Sequence, residues 1–160
     1  VILLLLRPYR VGDYITAQGQ SGTVKAIGLF STQLSTGDNR IIFVPNSAIS
    51  TSIIDNYSHS KYRRVEWTVT ISYGDDFDVA RREILAMLKE DKRVLNEPAE
   101  PLVAIKDLGE SAVVVLVRCW AANDDYWNLF FHINERMYKE LPTKGINFPY
   151  PQIDVHIKQN

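Results

Sequence analysis

The sequence predicts an α+β protein in which a region of short β-strands precedes a region that mixes strands with two helices. Three observations lead to this fold class. Residues 12–57 contain short apolar stretches separated by glycine, asparagine and proline, residues 65–157 contain two helical apolar stripes between alternating strands, and a polar, basic segment at 58–64 separates the two patterns. Hydrophobic residues make up 46% of the 160-residue chain and charged residues 23%, which is typical of globular proteins.

The chain opens with six apolar residues at 1–6, followed by a basic, proline-bearing segment at 7–14 that we call the elbow. Pro8 lacks an N–H and disfavours a helical conformation at Arg7, and Gly12 permits a turn that other residues resist. The apolar run is too short to span a bilayer, which takes roughly twenty residues. Two interpretations stay open for it: a short strand or helix of the protein's own core, or the end of a longer membrane helix.

Five short strands are predicted in the first region, at 13–16, 23–27, 30–35, 40–44 and 53–57. A glycine, aspartate and asparagine at 37–39 are a strong hairpin signal between the third and fourth strands. Pro45 ends the fourth strand, and Asn46 or Ser47 is predicted to cap a single helical turn. Five strands in so short a segment predict a small, strongly bent barrel that has little core of its own.

Residues 58–64 are polar and basic, and we place the boundary between the two domains there. The simplest interpretation of this segment is a solvated linker. The alternative is a local contact with phosphate or lipid, which the basic side chains would favour.

The second region follows the order β-α-β-β-α-β, which is the split arrangement of ferredoxin-like domains. Strands are predicted at 65–71, 102–108, 112–120 and 153–157, and helices at 77–89 and 126–141. Two aspartates at 75–76, and an asparagine with two aspartates at 123–125, are predicted to cap the two helices, and Gly145 to end the second. The predicted apolar face of the second helix consists of Tyr126, Phe130, Ile133, Met137 and Leu141.

Few residues form a pattern associated with catalysis or metal binding. His59, His132 and His156 are far apart and none has the local spacing of a metal site. Cys119 lies in an apolar strand and is predicted to be a buried structural thiol. The acidic residues at 75–78 open a helix and are interpreted as caps rather than as a calcium loop. We therefore predict no catalytic residue, no metal and no cofactor, and we do not expect an enzyme.

Nucleic-acid binding is the main alternative, because small β-barrels and ferredoxin-like sheets both occur in RNA-binding proteins. The net charge of −1 is unsuited to following a phosphate backbone. The strand at 112–120 is aliphatic where stacking aromatic residues would be expected. A soluble oligomeric nucleic-acid-binding module is nevertheless the runner-up hypothesis, and an enzyme with an unrecognised site is a weaker third.

Several short motifs resemble the small-conductance mechanosensitive channel family. They are Arg7-Pro8-Tyr9 with Gly12-Asp13, Gly22-Thr23-Val24, Ser31-Thr32, Val44-Pro45-Asn46-Ser47, Asn56-Tyr57-Ser58, and Phe148-Pro149-Tyr150-Pro151-Gln152 with Asp154-Val155. Each motif alone is weak, but they follow the family's order along nearly the whole chain. The resemblance implies a homoheptamer in which 1–7 end a pore-lining helix, 8–58 form an Sm-like β domain, 59–147 form a ferredoxin-like α/β domain, and 148–160 supply a strand to an intersubunit barrel.

The resemblance also implies roles for individual residues. Arg7, Pro8 and Gly12 would couple the pore-lining helix to the β domain, and Pro45 and Asn46 belong to a family motif. Glu66 and Asp107 fall at acidic positions that face side portals. The strand that closes the base would contain Pro149, Pro151, Ile153 and Val155. Two solvated carboxylates are an equal alternative for the portal pair. Charge rings at such openings can filter ions.

The function implied by the resemblance is that of the cytoplasmic vestibule of a channel in the bacterial inner membrane. Such a channel opens under membrane tension and releases ions and small solutes in hypoosmotic shock. Its expected partners are further copies of the chain, the lipid bilayer through helices upstream of Val1, and the permeating solutes. No cofactor and no nucleic acid are expected.

Overall fold

The computed structural model describes residues 8–151 and residue 153, and the chain divides into two compact units, 1–61 and 62–160. Each unit has a hydrophobic core of its own. The expectations for 1–7 and for Val155 lie outside the described residues, as does most of the strand predicted at 153–157. Across the part of the chain that is described, no helix combines the length and the apolar character that crossing a bilayer requires.

The first unit contains the five predicted strands, joined in one antiparallel sheet. They are β1 (Tyr14–Ala17), β2 (Gln20–Ile27), β3 (Ser31–Ser35), β4 (Ile41–Pro45) and β5 (Ile54–Asn56), and a short helix α1 (Asn46–Ser50) follows β4. The strand order is β4-β3-β2-β1-β5. The pairing of β2 with β3 shifts between Val24 and Ala26, and such a bulge bends and twists a strand.

The core of the first unit is small, as the short strands predict. It consists of Tyr9, Ile15, Ala17, Val24, Leu34, Val44 and Ile49. Among the described residues of this unit, Thr32 is the one polar residue that is fully buried. Burying a hydroxyl without hydrogen-bond partners costs free energy, so the partners of Thr32 are important to the stability of this unit.

The second unit contains three described strands and two helices. They are β6 (Tyr62–Ile71), α2 (Phe77–Glu90), β7 (Leu102–Leu108), β8 (Val113–Ala122) and α3 (Tyr126–Glu140), with 3-10 turns at Asn123–Asp125 and Leu141–Lys144. The strands form an antiparallel sheet in the order β6-β8-β7. Ile153, the described member of the predicted fourth strand, is not in a strand.

Both helices of the second unit cover the same face of its sheet. Alternate residues of the central strand are buried, namely Val113, Val115, Val117, Cys119 and Ala121. The buried helical residues are Ala80, Ile84, Met87 and Leu88 on α2 and Leu129, Ile133 and Met137 on α3. The predicted apolar face of α3 omits Leu129, which is fully buried, and includes Tyr126 and Phe130, which are only partly buried.

The predicted linker is shorter than expected, because β6 already begins at Tyr62. Arg63 and Arg64 belong to the strand and point to opposite faces of the sheet. The guanidinium carbon of Arg63 lies 3.7 Å from the centre of the Tyr126 ring, a cation–π contact. Arg64 lies 3.8 Å from Glu66 on the other face.

The capping predictions for the second unit have different outcomes. Asp76 caps α2 as predicted, because its Oδ1 accepts from the backbone N–H groups of Asp78 at 2.9 Å and Val79 at 3.4 Å. The prediction for α3 is wrong. Residues 123–125 form a 3-10 turn instead, and Asp125 takes a helical backbone conformation without a side-chain capping bond.

Candidate functional site

The elbow, described from residue 8 onward, is held to strand β2 by backbone hydrogen bonds. The Gly12 N–H donates to the Val24 carbonyl at 2.8 Å, and the Val24 N–H donates to the Asp13 carbonyl at 2.8 Å. Gly12 has φ of 98°, in the left-handed region that favours glycine. A side chain at position 12 would therefore strain the turn through which the chain enters β1.

Pro8 is tied to strand β5 by a second set of contacts. The Asn56 side-chain amide donates to the Pro8 carbonyl at 3.1 Å and to Asp13 Oδ2 at 2.8 Å. The same Asp13 oxygen accepts from the Arg10 N–H at 3.1 Å. One amide and one carboxylate thus join the main chain at Pro8 and Arg10 to strand β5.

A chain of side-chain hydrogen bonds links the elbow through β3 to the end of β4, the strand at the edge of the sheet. The Thr32 hydroxyl donates to Asn46 Oδ1 at 2.8 Å and lies 2.7 Å from the Tyr9 hydroxyl. Because the proton of Thr32 is used on Asn46, the Tyr9 hydroxyl donates to Thr32. Tyr9 is 4% exposed and Thr32 is 0% exposed, so water does not satisfy either group.

Asn46 makes this chain continuous with the loop between β2 and β3. Its side-chain amide donates to the Gly28 carbonyl at 2.8 Å, and its N–H donates to the Phe30 carbonyl at 2.8 Å. The prediction that Asn46 or Ser47 caps α1 is wrong: the N-cap position is Pro45, and no side chain caps the helix. Asn46 is needed instead because one side chain must accept from Thr32 and donate to Gly28.

Pro45 ends β4 opposite Ser31, where the sheet has a free edge. A proline is tolerated there because an edge strand leaves one set of N–H groups unpaired. The loop that Asn46 fixes carries Leu29 and Phe30, which are 80% and 85% exposed. The sequence predicts a strand that begins at Phe30, but β3 begins at Ser31 and Phe30 lies in the loop. The sequence signal for this exposed loop is the apolar pair directly after Gly28.

The two predicted portal residues lie on the helix-free face of the second sheet, but in different surroundings. Glu66 is directly opposite Arg118 and lies 3.6 Å from its Nε atom, with Arg64 at 3.8 Å. Asp107 is exposed on β7 opposite Val114, and its Oδ1 accepts from the Leu108 N–H. The charge of Glu66 is therefore offset by two arginines, whereas that of Asp107 faces solvent.

The described C-terminal residues leave the second unit without regular structure. Pro149, Pro151 and Ile153 are in neither helix nor strand, and Ile153 is 84% exposed. Phe148 still packs against the core. Val155 lies outside the described residues.

No described group has the arrangement of a catalytic or metal site. Within residues 8–151 and 153, no cluster of three or more histidine, cysteine, aspartate or glutamate side chains could hold a metal ion. Burial raises the pKa of the Cys119 thiol to about 12, so this cysteine stays protonated and unreactive at neutral pH. A cavity of about 400 Å³ in the second unit is lined by Leu85, Leu88, Lys89, Val94, Asn96, Glu100 and Pro101, without a nucleophile and base pair.

Comparison with known proteins covers both units. Residues 1–59 match the model of the mechanosensitive ion channel β-domain, and residues 65–148 match that of the MscS C-terminal region. The small-conductance mechanosensitive channel of Edwardsiella ictaluri is 35% identical over 99% of this chain, and an MscS family protein of Archaeoglobus fulgidus is 33% identical over 95%. The chain spans 55% and 53% of their lengths, about half of the relatives that it matches.

A solved structure supports the same relationship. The closed-state crystal structure of Helicobacter pylori MscS superposes with a TM-score of 0.90 and 29% identity, covering 99% of this chain and 63% of that one. These relatives are channel proteins, which favours a channel domain over a nucleic-acid-binding module, and theirs is not an enzyme family. The chain belongs to the small-conductance mechanosensitive channel (MscS) family.

Proposed function

We propose that this chain forms the cytoplasmic vestibule of a channel in the bacterial inner membrane, which opens under tension and releases ions and small solutes in hypoosmotic shock. One observation carries the proposal: two consecutive regions of the chain match, in order, the β-domain and C-terminal models of mechanosensitive channels. In this proposal the membrane-spanning helices precede residues 1–7, which end the pore-lining helix.

We assign 8–58 to an Sm-like β domain and 59–147 to a ferredoxin-like domain. The five-stranded order β4-β3-β2-β1-β5 and the order β6-β8-β7 with two helices on one face support these assignments. The functional assembly is a homoheptamer. The small core of the first unit and its exposed Leu29, Phe30, Phe43 and Ile53 support this, because identical neighbours in a closed ring supply the missing burial and cover free sheet edges.

The elbow is the coupling element of the proposed channel. Arg7 joins the pore-lining helix to Pro8, whose carbonyl is held by Asn56, and Gly12 permits the turn into the β domain. The buried path from Tyr9 through Thr32 to Asn46 supports rigid transmission, since each step is a hydrogen bond shorter than 3 Å. The family motif at Pro45 and Asn46 then has a physical role in fixing the 28–30 loop.

The portal assignment of Glu66 and Asp107 is sharpened by their surroundings. Both acidic residues lie on the helix-free face of the same sheet. Because Glu66 is offset by Arg64 and Arg118, Asp107 is the stronger candidate for an uncompensated ring of charge.

The C-terminal segment from Phe148 is proposed to supply one strand, with Pro149, Pro151, Ile153 and Val155, to a barrel shared among the subunits. Removal of 149–160 should weaken assembly more than it unfolds the monomer, since Phe148 remains to fill the core. Native mass spectrometry and thermal unfolding measure the two effects. An unchanged oligomer after removal would contradict the shared barrel.

A chimera tests the function directly. The upstream part of the Edwardsiella ictaluri channel is fused to this chain at Val1, and the fusion is expressed in cells that lack their own osmotic release channels. We expect survival of hypoosmotic shock and pressure-activated currents in membrane patches. Assembly without pressure-activated current would refute the channel function, and the unfused chain serves as the negative control.

A further inference from the structure

A carboxylate in the turn between β6 and α2 holds the beginning of the C-terminal segment. Asp75 Oδ2 accepts from the Asn147 N–H at 2.8 Å and from the Ser72 N–H at 3.0 Å, and its Oδ1 accepts from the Asn147 side-chain amide at 3.0 Å. Three donors converge on one side chain, although 72 positions separate Asp75 from Asn147.

The main chain of Asn147 is bound on its other side as well. Its carbonyl accepts from the Ser72 N–H at 3.1 Å and from the Ser72 hydroxyl at 3.2 Å. Asn147 is therefore held through its N–H, its carbonyl and its side chain. We call the group of Ser72, Asp75 and Asn147 the tail clamp.

The exposure of the neighbouring residues changes at the clamp. Ile146 is 1% exposed and Phe148 packs against the core, so the neighbours of Asn147 are inserted into the second unit. Tyr150 is 83% exposed and Ile153 is 84% exposed. The clamp thus sits at the transition between the packed unit and the exposed C-terminal segment, and it defines the direction in which that segment leaves.

We propose that Asp75 is a positioning residue, which aims the C-terminal segment and thereby sets the strength of self-assembly. The inference rests on the proposed function, in which segments of several copies meet at one barrel. A segment whose direction is fixed loses less freedom on association, and this benefit is repeated in every copy. The clamp therefore affects assembly much more than it affects the fold of one subunit.

An exchange of the two side chains tests this geometry. Asp75→Asn puts an amide N–H₂ opposite either the Asn147 side-chain amide or the two backbone N–H groups, so donors face donors. Asn147→Asp brings two carboxylates together. The double variant Asp75→Asn/Asn147→Asp reverses the bond between the side chains and leaves the amide oxygen of residue 75 for both backbone N–H groups. Asp78→Asn, on the exposed first turn of α2, is the matched control.

Hydrogen exchange of the full chain measures the tether itself. In each single variant, exchange at the Ser72 and Asn147 amides, which both donate to Asp75, should accelerate about tenfold, the factor for one lost hydrogen bond to a charged group. The double variant and Asp78→Asn should exchange like the unaltered protein. Unchanged exchange in both single variants would overturn the proposal, whatever the state of assembly.

Native mass spectrometry over a dilution series measures the consequence for assembly, with thermal unfolding in parallel. We expect the single variants to dissociate at concentrations at least about tenfold higher than the unaltered protein and the double variant to recover. Loss of thermal stability with assembly intact would show a structural role only and overturn the proposal. If the unaltered protein forms no oligomer, the role of Asp75 and the proposed heptamer both fail. If the chimera assembles but carries no pressure-activated current, only the proposed channel function fails.

Discussion

The two units differ in where they keep their polar hydrogen bonds. In the first unit, the Tyr9, Thr32 and Asn46 side chains are bonded to one another within a core of seven side chains. In the second unit, the buried side chains of the sheet and both helices are almost entirely apolar, and each ion pair keeps at least one partner partly exposed. One unit therefore depends on a few specific bonds and the other on buried apolar area.

This difference follows from size. A short chain buries a smaller share of its surface, so each hydrogen bond makes up a larger part of a small net stability. A buried network also accepts only one arrangement of its donors and acceptors, so it fixes Tyr9 against Thr32 in β3. The second unit has the larger apolar core, so we expect its fold to depend less on the clamp and on the C-terminal segment.

The largest expected effect comes from a cavity in the second core. Ile133→Ala removes a fully buried side chain of α3 and should lower the free energy of unfolding by about 2–5 kcal/mol. The tryptophans, Trp67, Trp120 and Trp127, are all in the second unit, so their fluorescence in a urea titration reports on it. His132→Ala, on the exposed side of the same helix, is the control and should change little.

The next effect tests the hydrogen-bonded network of the first unit. Asn46→Ala leaves the buried Thr32 hydroxyl without its acceptor and frees the Gly28 carbonyl, and should cost roughly 1–3 kcal/mol. Hydrogen exchange in β2, β3 and the loop between them should accelerate, while tryptophan fluorescence changes little. Ser47→Ala is the matched control, and an equal loss there would restore the capping interpretation and break the comparison.

The sequence predicts this fold well wherever a periodic pattern carries the information. The five short strands, the two amphipathic helices, the Asp76 cap and the buried Cys119 all follow from spacing and residue type. The motifs were also sufficient to indicate the family. Local periodicity is enough for these features because each depends on neighbours within a few residues.

The contacts of the candidate site are harder to predict because they join distant parts of the chain. Asn46 and the residues at 123–125 have the composition of caps, yet Asn46 is used by Thr32 and Gly28, and 123–125 tighten into a 3-10 turn. A capping side chain is available only if tertiary contacts leave it free. Tyr9, Thr32 and Asn46 occur in the family motifs, but the hydrogen bonds that link them are visible only in three dimensions.

The smallest expected effect concerns the best-formed ion pair of the second unit. The Arg93 guanidinium donates to both Asp91 oxygens, at 2.9 and 2.7 Å, and so holds the pKa of that carboxyl below its ordinary value of 3.8. Because the folded form has the lower pKa, the pair stabilises the protein above about pH 4 and loses this contribution as the pH falls through the folded value.

Asp91→Asn should therefore cost about 1 kcal/mol at pH 7, with Arg93 partly exposed, and progressively less toward pH 2. Urea titrations followed by tryptophan fluorescence at several pH values measure the difference, with the exposed Asp78→Asn as a control that should change the free energy of unfolding little at pH 7. A loss larger than that of Asn46→Ala would mean that the second unit also depends on individual polar bonds, and the contrast between the units would then fail.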